Sequence, residues 1–303
     1  MQVSIHWNEE RIRIYDINGV PMPSVTTICS IDPKSKIGIE EWKKRIGSIS
    51  EIISKFKATE GTIVHYLAAN YAAEKWGYSH VPLDIEYGSD EMNIIQTYYD
   101  EFKTISGKTG RLIGVRGHYG ESVYKDVNRG FIAYHLWFAK RHPKPPIHNR
   151  GKMKGDTFWI HPCEHVVHHK LYRYAGTADL ICNIDGLNYL VDLKFNSYNK
   201  SKHRKYLLQL TGYRLAINSL YPTMGINKVA ILYLGHKSGK PEFISHLPNK
   251  QIEKDWLRYV GAYYYKNRSN SRLSENAIRV TSILKTKKIE IIKNFVENWR
   301  DYV

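Results

Sequence analysis

Asp179, Asp192 and Lys194 are charged residues set in otherwise apolar stretches, Ala175-Gly176-Thr177-Ala178-Asp179-Leu180 and Tyr189-Leu190-Val191-Asp192-Leu193-Lys194. Side chains alternate along a strand, so Asp192 and Lys194 project from one face. Asp185-Gly186 between the two stretches is a hairpin signal. It brings Asp179 onto the neighbouring strand at a comparable height. A carboxylate and an ammonium directed the same way from a buried strand are costly unless they pair or bind something. Two carboxylates from adjacent strands offer oxygen ligands to a hard divalent cation such as Mg²⁺ or Mn²⁺. A lysine beside that ion can orient or deprotonate water, or neutralise charge building on a phosphate. An Asp–Lys pair standing alone would instead be a plain ion pair at a strand end.

The elements that must position these residues are legible from periodicity. Residues 3–20 read as a hairpin, with alternating polarity over Arg11-Ile12-Arg13-Ile14-Tyr15 and a turn at Asn18-Gly19. Ser24 or Thr26 can cap a following helix. Residues 39–57 read as a basic helix. Gly61-Thr62 opens a separate one to Trp76, with Val64, Leu67, Ala68 and Tyr71 as its apolar stripe and His65 in its first turns. Further helices are expected over 90–104 and 128–142, with a glycine-rich basic loop over 106–121 between them. Strands follow at 163–169, 176–184 and 187–194, then a helix over 201–219, a buried strand over 227–234, another over 241–247, and helices over 250–266 and 275–301. This order predicts an α/β domain with an inserted helical part.

Composition narrows the class. The 303 residues are 42% hydrophobic and 24% charged, which suits a globular core. No apolar run is long enough to span a bilayer, and the first ten residues lack a signal-peptide layout, which predicts a cytoplasmic protein (host cytoplasm if viral) and no membrane partner. The net charge of +16 favours a polyanionic partner, because cations meeting phosphates release counterions. The 23 tyrosines add rings able to stack unpaired bases. Three scattered cysteines, Cys29, Cys163 and Cys182, argue against a disulfide framework or a four-cysteine zinc or iron–sulfur site. Cys182 reads as a buried strand residue. His161, Cys163, His165, His168 and His169 form a rival ligand cluster. On a strand, His161, Cys163 and His165 would share one face and Glu164 the other. Structural zinc sites bring ligands from separated pairs, so a solvated or DNA-facing histidine strip is favoured.

Taken together and in order, Gly61-Thr62-Ile63-Val64-His65, Glu164, Gly176-Thr177-Ala178-Asp179, Asp192-Leu193-Lys194 and Gln209-Leu210-Thr211-Gly212-Tyr213 match a known pattern. The chain resembles the PD-(D/E)xK nucleases, in particular the RecB-like branch of viral, phage and mitochondrial genome maintenance exonucleases. Pro23-Ser24-Val25-Thr26-Thr27 is similar to the start of its viral and mitochondrial members. The resemblance spans about residues 20–235. It implies a restriction-endonuclease-like α/β core, a central mixed β-sheet flanked by helices, with an N-terminal helical insertion. Residues 1–303 would then be one nuclease domain: 1–150 the hairpin and helical part carrying His65, 151–247 the core, and 248–303 the C-terminal helices.

Carried over residue by residue, the resemblance makes His65, Asp179 and Asp192 metal ligands, with the Leu193 carbonyl as an additional one. Lys194 would be the catalytic lysine. Gln209 and Tyr213, four apart on one helical face, would position the lysine, the scissile phosphate or the strand. Glu164 would ligate a second metal or support the first ligands. One or two Mg²⁺ or Mn²⁺ ions are implied, and no iron–sulfur cluster. The expected partner is DNA, single- or double-stranded, and a homo-oligomer stays open. Candidate DNA contacts are Lys43, Lys44, Arg45, Arg111, Arg116, Lys202, Arg204 and Lys205, the last three beside a helix N-terminus that also favours phosphate. The expected activity is exonucleolytic. An endonuclease or structure-specific nuclease with the same centre, and a catalytically inactive nucleic-acid-binding protein, are the alternatives.

Overall fold

Alternating polarity over Arg13–Ile17 builds strand β2, which pairs antiparallel with β1 (Val3–Trp7) on one side and β3 (Val20–Pro23) on the other. The turn between β2 and β3 holds Asn18 at φ 51° and Gly19 at φ 80°. Two successive left-handed residues suit Asn-Gly and few other pairs. The computed structural model describes residues 2–7, 13–31, 40–45, 47, 50–81, 120–147, 161–235, 238–270 and 273–287. The expected 90–104 helix, positions 106–119 of the glycine-rich loop, and Arg111 and Arg116 lie outside these residues.

Ser24 caps helix α1 (Val25–Cys29), its Oγ accepting the Thr27 N–H at 2.9 Å. Residues 40–45 are helical. Helix α2 runs Ser50–Trp76, so Gly61-Thr62 sits inside it and does not open it. Thr62 Oγ1 donates to the Ala58 carbonyl at 3.0 Å. A mid-helix glycine costs only about 1 kcal/mol, which the packing of Ile63, Val64, Leu67 and Ala68 outweighs. Helix α3 (Gly120–Arg141) starts earlier than its periodicity suggests and takes in positions 120–121 of the expected loop.

The main sheet has the order β4 (Cys163–His168), β5 (Ala175–Ile184), β6 (Leu187–Lys194), β7 (Lys228–Leu234), β8 (Pro241–His246). Every pair is antiparallel except β6–β7. The parallel pair needs a crossover, and helix α4 (Lys200–Leu220) supplies it. The β5–β6 turn again uses two left-handed residues, Asp185 at φ 52° and Gly186 at φ 82°. One face of the sheet, including Leu180, Cys182, Val191 and Leu232, packs under α2 and α3 with Leu67, Tyr134 and Trp137. The other, including Ile181, Leu190 and Ile231, packs under α4, backed by α5 (Lys250–Lys266) and α6 (Ser274–Thr286) through Trp256 and Val280. Burial on both faces explains the near-continuous apolar run of β7. The helical part expected as an insertion is thus one of the two layers covering an α/β sheet. Positions 288–301 of the expected last helix fall outside the described residues. An isolated bridge from Ser24 to Ala175 ties the small sheet to β5. All three cysteines are buried and none forms a disulfide. Among the described residues no helix is long and apolar enough to cross a membrane.

Candidate metal centre

The centre forms where the β5–β6 ladder opens. The two strands pair from Ile184↔Leu187 to Leu180↔Val191. Beyond that point β5 stays with β4, and β6 stays with β7 as far as Lys194↔Tyr233. Asp179 fills the gap, its Oδ2 accepting the Leu193 N–H at 2.7 Å. A side-chain carboxylate thereby satisfies a buried amide that the ladder no longer reaches.

His65 enters from α2. Its Nε2 lies 3.0 Å from the Leu193 carbonyl oxygen. With Nε2–H donating there, Nδ1 faces two carboxylates, 3.7 Å from Glu164 Oε1 and 3.7 Å from Asp179 Oδ2. One ligand atom from each of His65, Glu164 and Asp179 falls within 4.8 Å of the others. Donors bonded to an octahedral ion at ~2.1 Å stand about 3.0 Å apart when adjacent and about 4.2 Å when opposite. The three could therefore hold one metal ion after slight contraction. Glu164 Oε1 is buried and makes no hydrogen bond within normal distance, with His65 Nδ1 facing it at 3.7 Å.

Glu164 arrives through a backbone irregularity. Its φ is +46°, a left-handed value for a residue with no glycine-like freedom. Ladder pairing skips it, with Cys163↔Leu180 and His165↔Ala178 on either side. Alternation breaks here. Cys163 packs into the cluster under α2 and α3, whereas His165 Nε2 meets Tyr221 Oη at 3.1 Å beyond the end of α4. The expected shared face of Cys163 and His165 is therefore not formed, and the rival zinc cluster comes apart. His161 contacts the carbonyls of Cys163 and Ser79, and His169 Nδ1 accepts the N–H groups of Leu171 and Tyr172.

Asp192 lies beside the three-ligand group, not in it. Lys194 Nζ sits 2.8 Å from its Oδ1 and 2.7 Å from its Oδ2. Burial pushes the Asp192 pKa up, Lys194 pulls it back and Asp179 raises it again, leaving it at about 6. Burial likewise raises Asp179, against the charge of His65. For His65, burial lowers the pKa, but Asp179 and Glu164 outweigh it and hold it at about 9. The Leu193 carbonyl, expected as a ligand, accepts from His65.

Gln209 Nε2 donates to Tyr213 Oη at 3.2 Å, four residues apart as the spacing requires. Burial, then the nearby Asp179 charge, keeps the Tyr213 phenol protonated. Its ring lies on Gly176, where a Cβ would stand 2.4 Å from Tyr213 Cε1. The glycine of Gly176-Thr177-Ala178-Asp179 and the tyrosine of Gln209–Tyr213 are one packing device.

No family model matches this chain, and no curated protein matches its sequence.

Two contributors escaped sequence reasoning. Tyr15 Oη meets Thr177 Oγ1 at 3.0 Å, bringing β2 against the strand that carries Asp179. Tyr206 lies under Lys194, whose Nζ is 4.8 Å from the ring centroid. Tyr206 precedes Gln209 and Tyr213 by three and seven residues, a helical-face spacing that could have found it. Tyr15 carries no such signal. Among the expected DNA contacts, Lys43, Lys44, Arg45 and Lys202 are exposed and Lys205 is half-buried. Arg204 is exposed and donates to Asp255 Oδ2 at 2.7 Å, α5 running alongside α4.

Proposed function

We propose that the protein is a metal-dependent nuclease of the PD-(D/E)xK type that hydrolyses DNA phosphodiester bonds. One observation carries the reading: His65, Glu164 and Asp179 converge on a single small volume beside the Asp192–Lys194 pair, at the point where two core strands part. The order of motifs along the chain and the net charge of +16 support it.

A bound Mg²⁺ or Mn²⁺ would lower the pKa of a water and offset charge building on the phosphate. Asp179, Glu164 and His65 would hold that ion, with Asp192 adjoining. Lys194, which contacts Asp192 and the ring of Tyr206, would orient the attacking water or meet a phosphate oxygen. Gln209 and Tyr213 present a neutral hydrogen-bonding pair next to the carboxylates. The exonuclease form of the activity rests on the family resemblance alone.

The test is digestion of end-labelled linear DNA, single- and double-stranded, in Mg²⁺ or Mn²⁺, with Lys194→Ala as the comparison. Wild type should degrade DNA and the variant should lose about 10²–10³-fold in rate. Equal activity of the two, or inactivity of both, overturns the assignment and favours a binding protein without catalysis. Cleavage of circular single-stranded DNA would sink the strict exonuclease form.

A further inference from the structure

Beyond Lys194 lies a run of aromatic rings. Tyr206, under the Lys194 ammonium, neighbours Tyr233 with centroids 6.4 Å apart, and Tyr233 is the β7 register partner of Lys194. Tyr198, in the connection from β6 to α4, stands edge-on to Tyr233 at 5.6 Å and 89°. It also stands against His203 at 5.5 Å and 66°. The rings form a continuous run from Lys194 outward.

Burial accounts for the inner rings, Tyr233 being 1% exposed. It does not account for Tyr198. At 42% exposure, Tyr198 is the one aromatic among the large apolar side chains that the described residues leave exposed. Its two neighbours contact it edge to face, which restrains the ring and lowers the entropy lost when a planar partner stacks on it. Exposed Lys200 and Lys202 follow in the first turn of α4, a turn without an acidic residue, at the positive end of a 21-residue helix. The charge selects a polyanion and the ring selects a flat apolar face. A duplex keeps its base faces inside the stack. An unpaired strand offers a phosphate and a free base face together.

We infer that Tyr198 is a stacking site for an unpaired base of single-stranded DNA, with Lys200 and Lys202 holding the adjoining phosphates on the approach to Lys194. The inference rests on the nuclease reading and sharpens its substrate to a single strand. Tyr198 is a specificity residue in this account and takes no part in the bond cleavage.

Fluorescence anisotropy of labelled single-stranded and duplex oligonucleotides of one sequence, in EDTA at fixed ionic strength, tests it on the full chain. Tyr198→Ala should weaken single-strand binding about 5- to 150-fold and leave duplex binding unchanged. Tyr198→Phe and Tyr198→Trp should retain wild-type affinity, since both keep a stacking face. Unchanged single-strand affinity in Tyr198→Ala, equal losses on both substrates, or failure of Phe and Trp to retain binding each overturns the inference, even where Lys194→Ala abolishes digestion. A selective Tyr198→Ala loss with digestion indifferent to Lys194→Ala supports the stacking site while overturning the nuclease reading.

Discussion

Replacing Gly176 with alanine tests whether the glycine of the Asp179 strand exists to seat Tyr213. The added Cβ would lie 2.4 Å from Tyr213 Cε1, 3.3 Å from Cδ1 and 3.4 Å from Cζ. Carbon atoms in comfortable contact stand about 3.5–4.0 Å apart, so the ring must retreat by roughly 1 Å. Tyr213 is only 5% exposed and is packed into the cluster between the sheet and α4, which leaves it little room. Overpacking of this kind costs about 1–3 kcal/mol. Gly176 does not have a positive φ, so the alanine backbone itself is unstrained. In a Tyr213→Ala background the methyl would enter vacated space, and the cost should vanish or become a gain of about 0.4–1 kcal/mol from the stiffer unfolded chain. Urea unfolding of wild type, both single variants and the double variant should therefore give a coupling energy of about 1–3 kcal/mol, with the double variant more stable than the sum of the singles. On the proposed nuclease reading, Gly176→Ala should also lower DNA digestion, because the retreating ring takes its hydroxyl away from Gln209. Additivity within about 0.5 kcal/mol would refute the reasoning.

Asp179 and Glu164 hold the His65 pKa at about 9, so an Mn²⁺ ion bound through Nδ1 would displace a proton. Calorimetry in buffers of different ionisation enthalpy should count about one proton released per ion, with affinity rising with pH towards about 9. Buffer-independent heats would remove His65 from the ligand set. A separate pH effect belongs to His165, whose pKa burial lowers from 6.5 to about 4, aided by the charge of His161. The folded protein keeps this imidazole neutral while the unfolded chain takes up a proton below about 6.5. The unfolded state then binds more protons, so stability falls as the pH drops from about 6.5 to about 4 and levels off beneath, by up to about 3 kcal/mol. His165→Phe should flatten that limb of a urea-midpoint profile by one proton's slope; an unchanged profile would contradict the assignment.

Local signals carried much of the architecture. The Asn18-Gly19 and Asp185-Gly186 turns, the Ser24 cap and the bounds of α4 and α5 depend on neighbours within a few residues, so the sequence displays them directly. The common face of Asp192 and Lys194 and the four-residue spacing of Gln209 and Tyr213 are likewise consequences of strand and helix periods. Tertiary contact decided the rest. Helix α2 runs back through Gly61 to Ser50, and the packing of Ile63, Val64, Leu67 and Ala68 that offsets the glycine is a force no local propensity reports. Glu164 joins His65 and Asp179 through a left-handed backbone that two-residue alternation cannot foresee. Leu193 pairs with His65 and Asp179 because the ladder opens beyond Leu180↔Val191. The types of residue at the centre were set by the chain alone. Which of them share a ligand volume was set by where strands stop pairing, and that depends on every layer packed around them.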